Sequence, residues 1–406
     1  MTPSSSSAPK PTGDVTPAAS AIVWSDPARA AAFAKWLSAT SAACQLDPGT
    51  LRLASADASF RRYFRIDQSA GSCIIMDAPP SQEDCAPFVK VAELMAQAGL
   101  NAPRVLAWDQ AQGFMLLTDL GSQTMMEVIK QQGSLDIVPQ NGQLIHQLYM
   151  NAVDALIQWQ LSSRPDVLPA YDDALLSREL ALFPDWYIAQ HRGIAIDNAL
   201  QEKLAGFFAQ IKASNLNSLG GARVFVHRDF MPRNLMAPTL PTACGSLPPQ
   251  GANFPWGGPA ENFIPAKSIE HHPTLGVLDF QDAVYGPITY DIASLMRDAF
   301  LSWDEEFVID ITIRYWQKAR KAGLPVGDDF GEFYRAVEWM GLQRHLKILG
   351  IFARLTLRDG KPQYLADTPR FIKYARSTAS RYRQLGPLMV LLDEIEGNET
   401  RIGYTF

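Results

Sequence analysis

Alternation of apolar and polar side chains predicts β-strands in the first third of the chain. Between residues 50 and 78, apolar side chains recur in three short runs with the two-residue period of a strand. Their apolar members are Leu51 and Leu53, then Tyr63, Phe64 and Ile66, then Ile74, Ile75 and Met76. A continuous apolar run at 114–117 predicts one more, buried strand. Together these runs predict a small sheet.

Helical spacing of apolar side chains dominates elsewhere. Segments 27–43 and 86–99 each place apolar residues on one side of a predicted helix, with Ser25 and Asp26 as candidate caps ahead of the first. Further helices are predicted at 144–161, 180–188, 204–211 and 339–355. Another is predicted to begin at Asp291 and to bury Ile292, Leu295, Met296, Phe300 and Trp303. The pattern predicts an α+β protein whose second part is mainly helical.

Two segments show neither period. Residues 1–22 contain a serine run and four prolines, and they lack the apolar content that would offset the entropy of ordering, so a disordered tail is expected. Residues 237–273 are rich in proline and glycine. Loops longer than about 15 residues are either functional covers or disordered. We expect a disordered insertion here.

Composition and charge narrow the class of protein. A chain of 406 residues allows about two to three domains. The formal net charge of -6 gives no case for a nucleic-acid or anionic-membrane partner, and no apolar run approaches the roughly 18 residues of a membrane span. The four cysteines show no metal-binding spacing, which is typical of reduced thiols in a cytoplasmic protein. No pattern indicates an oligomeric state.

One polar turn carries the strongest chemical signal. After the apolar run 224–226 come His227, Arg228 and Asp229, and Asn234 follows five positions after Asp229. This matches the H-R-D-x-x-x-x-N loop of phosphoryl-transfer enzymes, in which a carboxylate faces the attacking hydroxyl and an amide reaches magnesium on the phosphates. Asp229 is therefore a candidate catalytic base and Asn234 a candidate metal ligand. The alternative is a buried Asp that only caps a turn.

A second loop supplies the missing carboxylate. The apolar run 275–278 ends at Asp279, and the chain continues as F-Q-D-A, then Y-G-P, then Y-D-I-A. Asp279 stands where kinases place the Asp that binds magnesium. The two loops together resemble the aminoglycoside phosphotransferase and choline kinase family, whose second loop reads D-F-x-x-A, then G-P, then D-(I/L)-A. Gln281 replaces the glycine of a protein kinase's D-F-G.

This resemblance implies a two-lobed, protein-kinase-like fold that uses ATP and Mg²⁺. The expected lobes are a β-rich, nucleotide-binding N-lobe at 23–118 and a helical C-lobe at 119–406 that holds catalytic and substrate residues. Asn234 and Asp279 are then the metal ligands. His227 and Asp291 are expected to support the catalytic loop. Asp291 stands at a predicted helix start and could also be a cap worth about 1 kcal/mol.

The nucleotide side of the pattern departs from most kinases. Ser55 and Ser59 lie in the loop expected to cover the phosphates, although that loop could be a plain hairpin turn. Met76 or Asp77 stands where kinases carry a phosphate-binding lysine. The candidate replacement cations, each of which could instead be solvated, are Arg61, Arg62, Arg65 and Lys90. Adenine contacts are expected from the backbone of Thr118, Asp119 and Leu120, with a helix cap as the alternative for Asp119.

A closer resemblance bears on the acceptor. Segments 57–65, 76–80, 182–184, 227–234 and 279–287 are similar to the anomeric N-acetylmuramate/N-acetylglucosamine kinases of bacterial cell-wall recycling. The resemblance spans about residues 24–400 apart from the insertion, and it makes the missing lysine a trait of that subfamily. It implies ATP-dependent phosphorylation of the anomeric hydroxyl of these amino sugars. No other feature of the sequence identifies the sugar.

Candidate residues for the acceptor, and the competing functions, complete the sequence prediction. A cation should meet the lactyl carboxylate of N-acetylmuramate, and the candidates are Arg233, Arg297 and Arg344. Arg344 lies with His345 and Lys347 on a helix where they could simply form a solvated face. The same fold also serves choline, homoserine and aminoglycoside kinases. A non-catalytic nucleotide-binding regulator is a further alternative, although retention of Asp229, Asn234 and Asp279 argues against it.

Overall fold

A computed structural model describes residues 22–56, 60–69, 71–132, 142–238 and 274–397. The expected tail up to residue 21, the loop residue Ser59, and residues 239–273 of the insertion lie outside the described residues. The chain forms two compact units. The first takes its described residues from 22–85 and 105–119. The second takes those of 86–104 and the described residues from Leu120 onward. Helix 86–97, expected in the N-lobe, thus belongs to the second unit.

The first unit combines one helix with an antiparallel sheet. The helix, α1, is Pro27–Cys44. The strands are β1 Leu46–Ala56, β2 Arg62–Gln68, β3 Gly71–Asp77, β4 Val105–Asp109 and β5 Phe114–Thr118. They are ordered β1-β2-β3-β5-β4. The predicted helix and the strands from alternating runs are confirmed; β4 was not predicted from the sequence.

Local chemistry explains how α1 begins and what it buries. The Asp26 carboxylate accepts the N–H of Ala28 at 2.8 Å, and Pro27 fills the first helical position, where its missing N–H costs nothing. The rings of Phe33 and Trp36 on α1 pack with Phe114 of β5, with ring centroids 5.5 Å apart in each case. This apolar contact fixes the helix to one face of the sheet.

The second unit is mainly helical. Its helices are α2 Ala86–Gln97, α3 Met125–Gln131, α4 Gly142–Leu161, α5 Asp173–Leu182, α6 Asn198–Asn217, α7 Tyr290–Met296, α8 Glu305–Lys321, α9 Phe330–Leu357, α10 Thr368–Arg381 and α11 Gly386–Glu396. Its short strands are β6 Arg223–Val226, β7 Leu235–Met236, β8 Gly276–Val277 and β9 Val284–Pro287. β6 pairs with β9, and β7 pairs with β8, both antiparallel. In the described part of the chain, no helix is long and apolar enough to cross a membrane.

Helix α9 forms the core of this unit. It is buried on all sides between residues 336 and 350. Arg344, His345 and Lys347 are buried with it, so the alternative of a solvated face is wrong. Buried charges require partners, and those partners prove to lie around the catalytic loop.

Two helix predictions need correction. The segment 180–188 is not one regular helix, because α5 ends at Leu182 and a π-helix spans Phe183–His191. Pro184 lacks the N–H that a regular helix would use there. The helix expected to run from Asp291 to Trp303 ends at Met296, leaving Phe300 and Trp303 outside it. Its N-cap position is Thr289, so the prediction of Asp291 as a helix cap is wrong.

Candidate active site

The catalytic loop connects β6 to β7. Val226 ends β6, His227 to Asp229 form the turn, and a single 3₁₀ turn at Pro232–Asn234 leads into β7. Arg228 has φ of 77°, a left-handed conformation that is costly for a residue with a side chain. Asp229 is half-buried. The strained residue immediately before Asp229 sets the direction in which its carboxylate leaves the loop.

Asp291 holds the backbone of this turn. Its carboxylate accepts the N–H of His227 at 2.7 Å and the N–H of Arg228 at 3.0 Å. Asp291 is completely buried, and it lies in the first turn of α7. A buried carboxylate with two backbone donors is a strong local constraint. These bonds stabilise the left-handed conformation of Arg228.

His227 connects the catalytic loop to the second loop. Its Nε2 donates to the carbonyl of Leu278 at 2.9 Å, and its Nδ1 accepts the N–H of Asp229 at 3.3 Å. The ring is fully buried, and burial lowers the pKa of His227. A neutral ring with its proton on Nε2 satisfies both contacts. His227 therefore orients both loops without carrying a charge.

Asn234 and Asp279 meet although 45 positions separate them in the chain. Leu235 of β7 pairs with Val277 of β8, and the N–H of Leu278 donates to the carbonyl of Asn234 at 2.9 Å. The Asn234 amide nitrogen donates to the Asp279 carboxylate at 3.0 Å and to the Asp229 carbonyl at 2.9 Å. The strand pair thus brings the two predicted metal ligands next to the catalytic loop.

The chemistry of this pair fits magnesium. The two bonds use the nitrogen of the Asn234 amide, and its oxygen takes part in neither. The Asp279 carboxylate supplies further oxygens, one of which accepts from Gln281 at 2.9 Å. Mg²⁺ prefers oxygen ligands and usually takes only one or two from protein carboxylates, the rest coming from water and phosphate. Asn234 and Asp279 therefore fit the role predicted for them.

The predicted nucleotide residues have partners within the first unit. Arg61 donates to Glu83 at 3.0 Å, and Arg62 donates to Asp77 at 2.5 Å. Arg62 also lies 3.9 Å from the centre of the Trp24 ring. Asp77 is fully buried and receives a second arginine, Arg29, at 2.5 Å. The candidate cation Arg62 thus neutralises a buried carboxylate in this structure, and the contact of Ser55 stays a prediction.

The residues predicted to contact adenine continue from β5. Thr118 ends that strand, and Leu120 begins the second unit. The Asp119 carboxylate accepts from Arg65 at 2.5 Å and from the Ser72 hydroxyl at 2.7 Å. Helix α3 is capped instead by Thr124, through a capping box with Glu127. The alternative of Asp119 as a helix cap is therefore wrong.

The three arginines predicted to meet the acceptor differ in what they contact. Arg344 is buried and donates to the carbonyl of Arg228 at 2.7 Å. Arg297 donates to the carboxylate of Glu305 at 2.8 Å. Arg233 is half-buried, lies 4.8 Å from the centre of the Phe300 ring, and forms no ion pair with the described residues. Arg233 is thus the least engaged of the three.

Glu179 is a residue of this region that the sequence did not single out. It lies in α5, is 4% exposed, and accepts from the guanidinium of Arg228 and from Lys347 of α9. A glutamate between Arg178 and Leu180 on an amphipathic helix gives no signal of burial. Lys347 in an apolar stretch of α9 was the available hint, because a buried lysine requires a carboxylate partner.

The sheet unit, the helical unit and the paired loops define the chain as a kinase-like phosphotransferase. The model of the "Phosphotransferase enzyme family" matches residues 50–241 and 263–328. The chain belongs to this family, and it is an enzyme that transfers a phosphoryl group to a hydroxyl acceptor. The resemblance to aminoglycoside phosphotransferases and choline kinases is confirmed.

Curated relatives match nearly the whole chain. A protein of Pseudomonas aeruginosa is 45% identical over 86% of this chain and 89% of its own length. One of Neisseria meningitidis is 43% identical over 88% of this chain and 94% of its own. Both are named N-acetylmuramate/N-acetylglucosamine kinase.

Solved structures support the fold. A choline/ethanolamine kinase family protein of Mesorhizobium loti superposes with a TM-score of 0.53 at 13% identity, covering 90% of this chain and 99% of that one. An aminoglycoside phosphotransferase gives a TM-score of 0.50 at 13% identity, covering 84% and 97%. The predicted two-lobed kinase-like fold class is therefore confirmed.

Proposed function

We propose that this protein is an ATP-dependent sugar kinase that phosphorylates the anomeric hydroxyl of N-acetylmuramate and N-acetylglucosamine for peptidoglycan recycling. The observation that carries the proposal is the 43–45% identity to relatives of that name over nearly their whole length. The arrangement of Asp229, Asn234 and Asp279 supplies the groups that phosphoryl transfer requires. Because the proposed reaction uses ATP, we propose that it takes place in the cytoplasm.

Asp229 is the proposed catalytic base. Its carboxylate accepts the proton of the acceptor hydroxyl as the oxygen–phosphorus bond forms. An anomeric hydroxyl is more acidic than an ordinary alcohol, so a carboxylate is a sufficient base. The Asp229 N–H donates to His227 and its carbonyl accepts from Asn234, so the backbone of the base is held on both sides.

Asn234 and Asp279 are the proposed ligands of Mg²⁺, which neutralises charge on the phosphates during transfer. Gln281 and Asn234 each donate to one oxygen of Asp279, so the carboxylate is oriented before any ligand arrives. The assignment is supported by the oxygen atoms that both side chains offer, because Mg²⁺ prefers oxygen ligands.

Nucleotide contacts are proposed for the first unit and the residue that follows it. They are the loop residues Ser55 and Ser59, the cations Arg61 and Arg62, and the backbone of Thr118, Asp119 and Leu120. Arg61 and Arg62 already hold Glu83 and Asp77, so any phosphate they bind would share them with a carboxylate. A shared cation gives weaker phosphate binding than a free lysine would.

Arg233 is the proposed partner of the lactyl carboxylate of N-acetylmuramate. It is adjacent to the proposed metal ligand Asn234, is half-buried, and forms no ion pair with the described residues. Arg297 and Arg344 stay weaker candidates, because each already donates to a protein group. N-acetylglucosamine has no lactyl group, which makes it the matched acceptor for testing this contact.

A transfer assay tests the function. The purified protein is incubated with Mg-ATP and, separately, N-acetylmuramate, N-acetylglucosamine, choline and kanamycin, and the product is identified by phosphorus NMR. A sugar 1-phosphate is the expected product. In the same assay Arg233→Gln is expected to raise the KM for N-acetylmuramate but not for N-acetylglucosamine. Transfer to choline or kanamycin alone would retain the kinase and exclude the sugar.

Asp229→Asn tests the catalytic role within that assay. The change keeps the shape of the side chain but removes the proton acceptor, so kcat is expected to fall by about 100-fold or more. Binding of Mg-ATP, measured by calorimetry, should remain near that of the wild type. Asp185→Asn, at an exposed position of the π-helix, is the control and should keep full activity. A variant at Asp229 with near-normal kcat would exclude the proposed base.

A further inference from the structure

We propose that Glu179 is a positioning residue for the catalytic loop: it holds the guanidinium of Arg228 and thereby fixes the orientation of Asp229. The proposal rests on the proposed function in one respect, which is that Asp229 acts on the acceptor hydroxyl. It assigns a role in catalysis to a helix, α5, that contributes no residue to the proposed chemistry.

Glu179 is the centre of a buried network of hydrogen bonds. One carboxylate oxygen accepts from Arg228 at 2.5 Å and from Lys347 at 2.8 Å. The other accepts from the Tyr171 hydroxyl at 2.6 Å and from the Gln343 amide at 3.0 Å. The residue is 4% exposed, so water does not compete for these hydrogen bonds and they keep nearly all their strength. The carboxylate thus joins α5, α9 and the catalytic loop at one point.

Three groups of Arg228 are each held by a hydrogen bond. Its N–H donates to Asp291, its carbonyl accepts from Arg344, and its guanidinium donates to Glu179. This residue also has the left-handed φ of 77°, a conformation that persists only where the surroundings enforce it. Because Arg228 directly precedes Asp229, loss of one of these three contacts is expected to redirect the catalytic carboxylate.

The positive charges around Glu179 keep its carboxylate ionised. Burial alone raises the pKa of Glu179, but the charges of Lys347 and Arg228 outweigh burial and hold that pKa below its ordinary value. Glu179 is therefore ionised at neutral pH. A switchable kinase can supply such an anion by phosphorylation, whereas here the chain itself provides it.

A purely structural role for Glu179 predicts something different. Lys347 is 8% exposed and needs a carboxylate for that reason alone, so losing Glu179 would lower stability without any effect on turnover. The two roles can be separated with a second buried glutamate. Glu338 of α9 is 3% exposed and forms an ion pair with Arg381 of α10, and neither residue belongs to the catalytic loop.

The experiment compares Glu179→Gln with Glu338→Gln in the full-length protein. Each change removes one buried carboxylate charge. Glu179→Gln takes the ion-pair partner from Arg228 and Lys347, and Glu338→Gln takes one of the two partners of Arg381, which keeps Glu305. Both are expected to lower Tm. Only Glu179→Gln should also lower kcat, by about 10- to 100-fold, with KM for Mg-ATP and for the sugar within about threefold of wild type. We expect kcat to change and KM to stay nearly the same, because Glu179 acts on the orientation of the base and touches neither substrate.

Hydrogen exchange gives a readout that does not need turnover. The amides of His227 and Arg228 are bonded to Asp291, and they should exchange faster in Glu179→Gln than in wild type or in Glu338→Gln. If wild type phosphorylates none of the acceptors, the proposed function fails, and faster exchange at these amides would still support the link from Glu179 to the loop.

Two results would overturn the proposal. One is a Glu179→Gln enzyme with near-normal kcat and unchanged exchange in the loop, which would show a structural role only. The other is a raised KM with normal kcat, which would place Glu179 in substrate binding. If Glu179→Gln fails to fold, Glu179→Asp keeps the charge and shortens the reach by one methylene. Its kcat should then fall at least several-fold, and full activity would contradict the proposal.

Discussion

Asp298 shows how one buried carboxyl group couples stability to pH. It lies two residues beyond α7, is 2% exposed, and accepts the N–H of Phe300 at 2.5 Å and of Leu301 at 2.7 Å. Both bonds are made by one carboxylate oxygen, and the other oxygen is buried without a hydrogen-bond partner among the described residues. Burial raises the pKa of Asp298 to about 6.

Asp298→Asn is expected to change how stability depends on pH. The folded state binds the Asp298 proton more tightly than the unfolded state, whose carboxyl titrates near 3.8. This carboxyl therefore lowers the free energy of unfolding as pH rises from about 4 to about 6, by about 3 kcal/mol in total. Asparagine keeps the acceptor oxygen and does not ionise, so the variant should gain stability over wild type across that interval.

Urea unfolding between pH 4 and pH 8 measures this difference. Asp328→Asn, at a carboxylate whose side chain is 92% exposed, is the control and should follow the wild-type profile. Parallel profiles for wild type and Asp298→Asn would contradict the prediction, because they would show that Asp298 titrates alike in the folded and unfolded states.

Residues differ in how far the sequence could predict their roles. Asp229, Asn234 and Asp279 were found because the spacing within each loop is itself the signal, and the structure brings the loops together. Glu179 was missed because its partners Arg228 and Lys347 are 49 and 168 positions away. Contacts at such separations follow from helix packing, and no local spacing encodes them.

The helices and strands also differ in how far the sequence could predict them. Several turns of apolar spacing predicted helices α4 and α9, and the shorter segment 204–211 predicted part of α6. Strands β4 and β9 span five and four residues and were not predicted from the sequence. The π-helix after α5 was also missed, because the apolar spacing of 180–188 predicted a regular helix.

Close packing between α9 and the end of α5 predicts an effect of a single methyl group. A Cβ added at Gly350 of α9 would lie 2.2 Å from the carbonyl oxygen of Leu182. The nearest atoms are the backbone oxygen and carbon of Leu182, which cannot rotate away as a side chain could. The two helices would therefore have to separate. Gly350→Ala is therefore expected to lower the free energy of unfolding by about 1–3 kcal/mol despite the higher helix propensity of alanine.

Gly341→Ala is the matched control on the same helix. There the nearest atom to an added Cβ is a side-chain carbon of Arg297 at 3.6 Å, an ordinary contact. The propensity gain of up to about 1 kcal/mol should then remain, giving neutral or raised stability. Calorimetric Tm values for both variants test whether the two changes have these different effects on stability. Equal effects would show that α9 can shift away from Leu182 at no cost.

At the scale of the whole molecule, residues 238 and 274 flank a segment that lies outside the described residues. Met236 of β7 pairs with Gly276 of β8, so the described residues that flank the segment 239–273 lie near each other. The family model leaves 242–262 unmatched. The expectation of a disordered insertion falls outside the described residues, but the position of the two ends makes a direct test possible.

Replacement of residues 239–273 by a linker of about four glycines and serines should leave the enzyme intact. The strands β7 and β8 already have the antiparallel geometry that a short turn can close. Shortening the loop roughly ninefold lowers its closure entropy, so the free energy of unfolding should stay the same or rise by up to about 2 kcal/mol. If the segment is disordered and covers nothing, kcat and KM for both sugars should not change.

A second variant separates the sequence of this segment from its length. A scrambled 239–273 keeps composition and loop length, and it should match wild type in both stability and kinetics. A raised sugar KM in the scrambled and shortened proteins alike would show instead that the segment contributes specific contacts to the acceptor. A fall in kcat in the shortened protein alone would mean that the loop length sets the geometry of Asn234 and Asp279, which lie just outside its two ends.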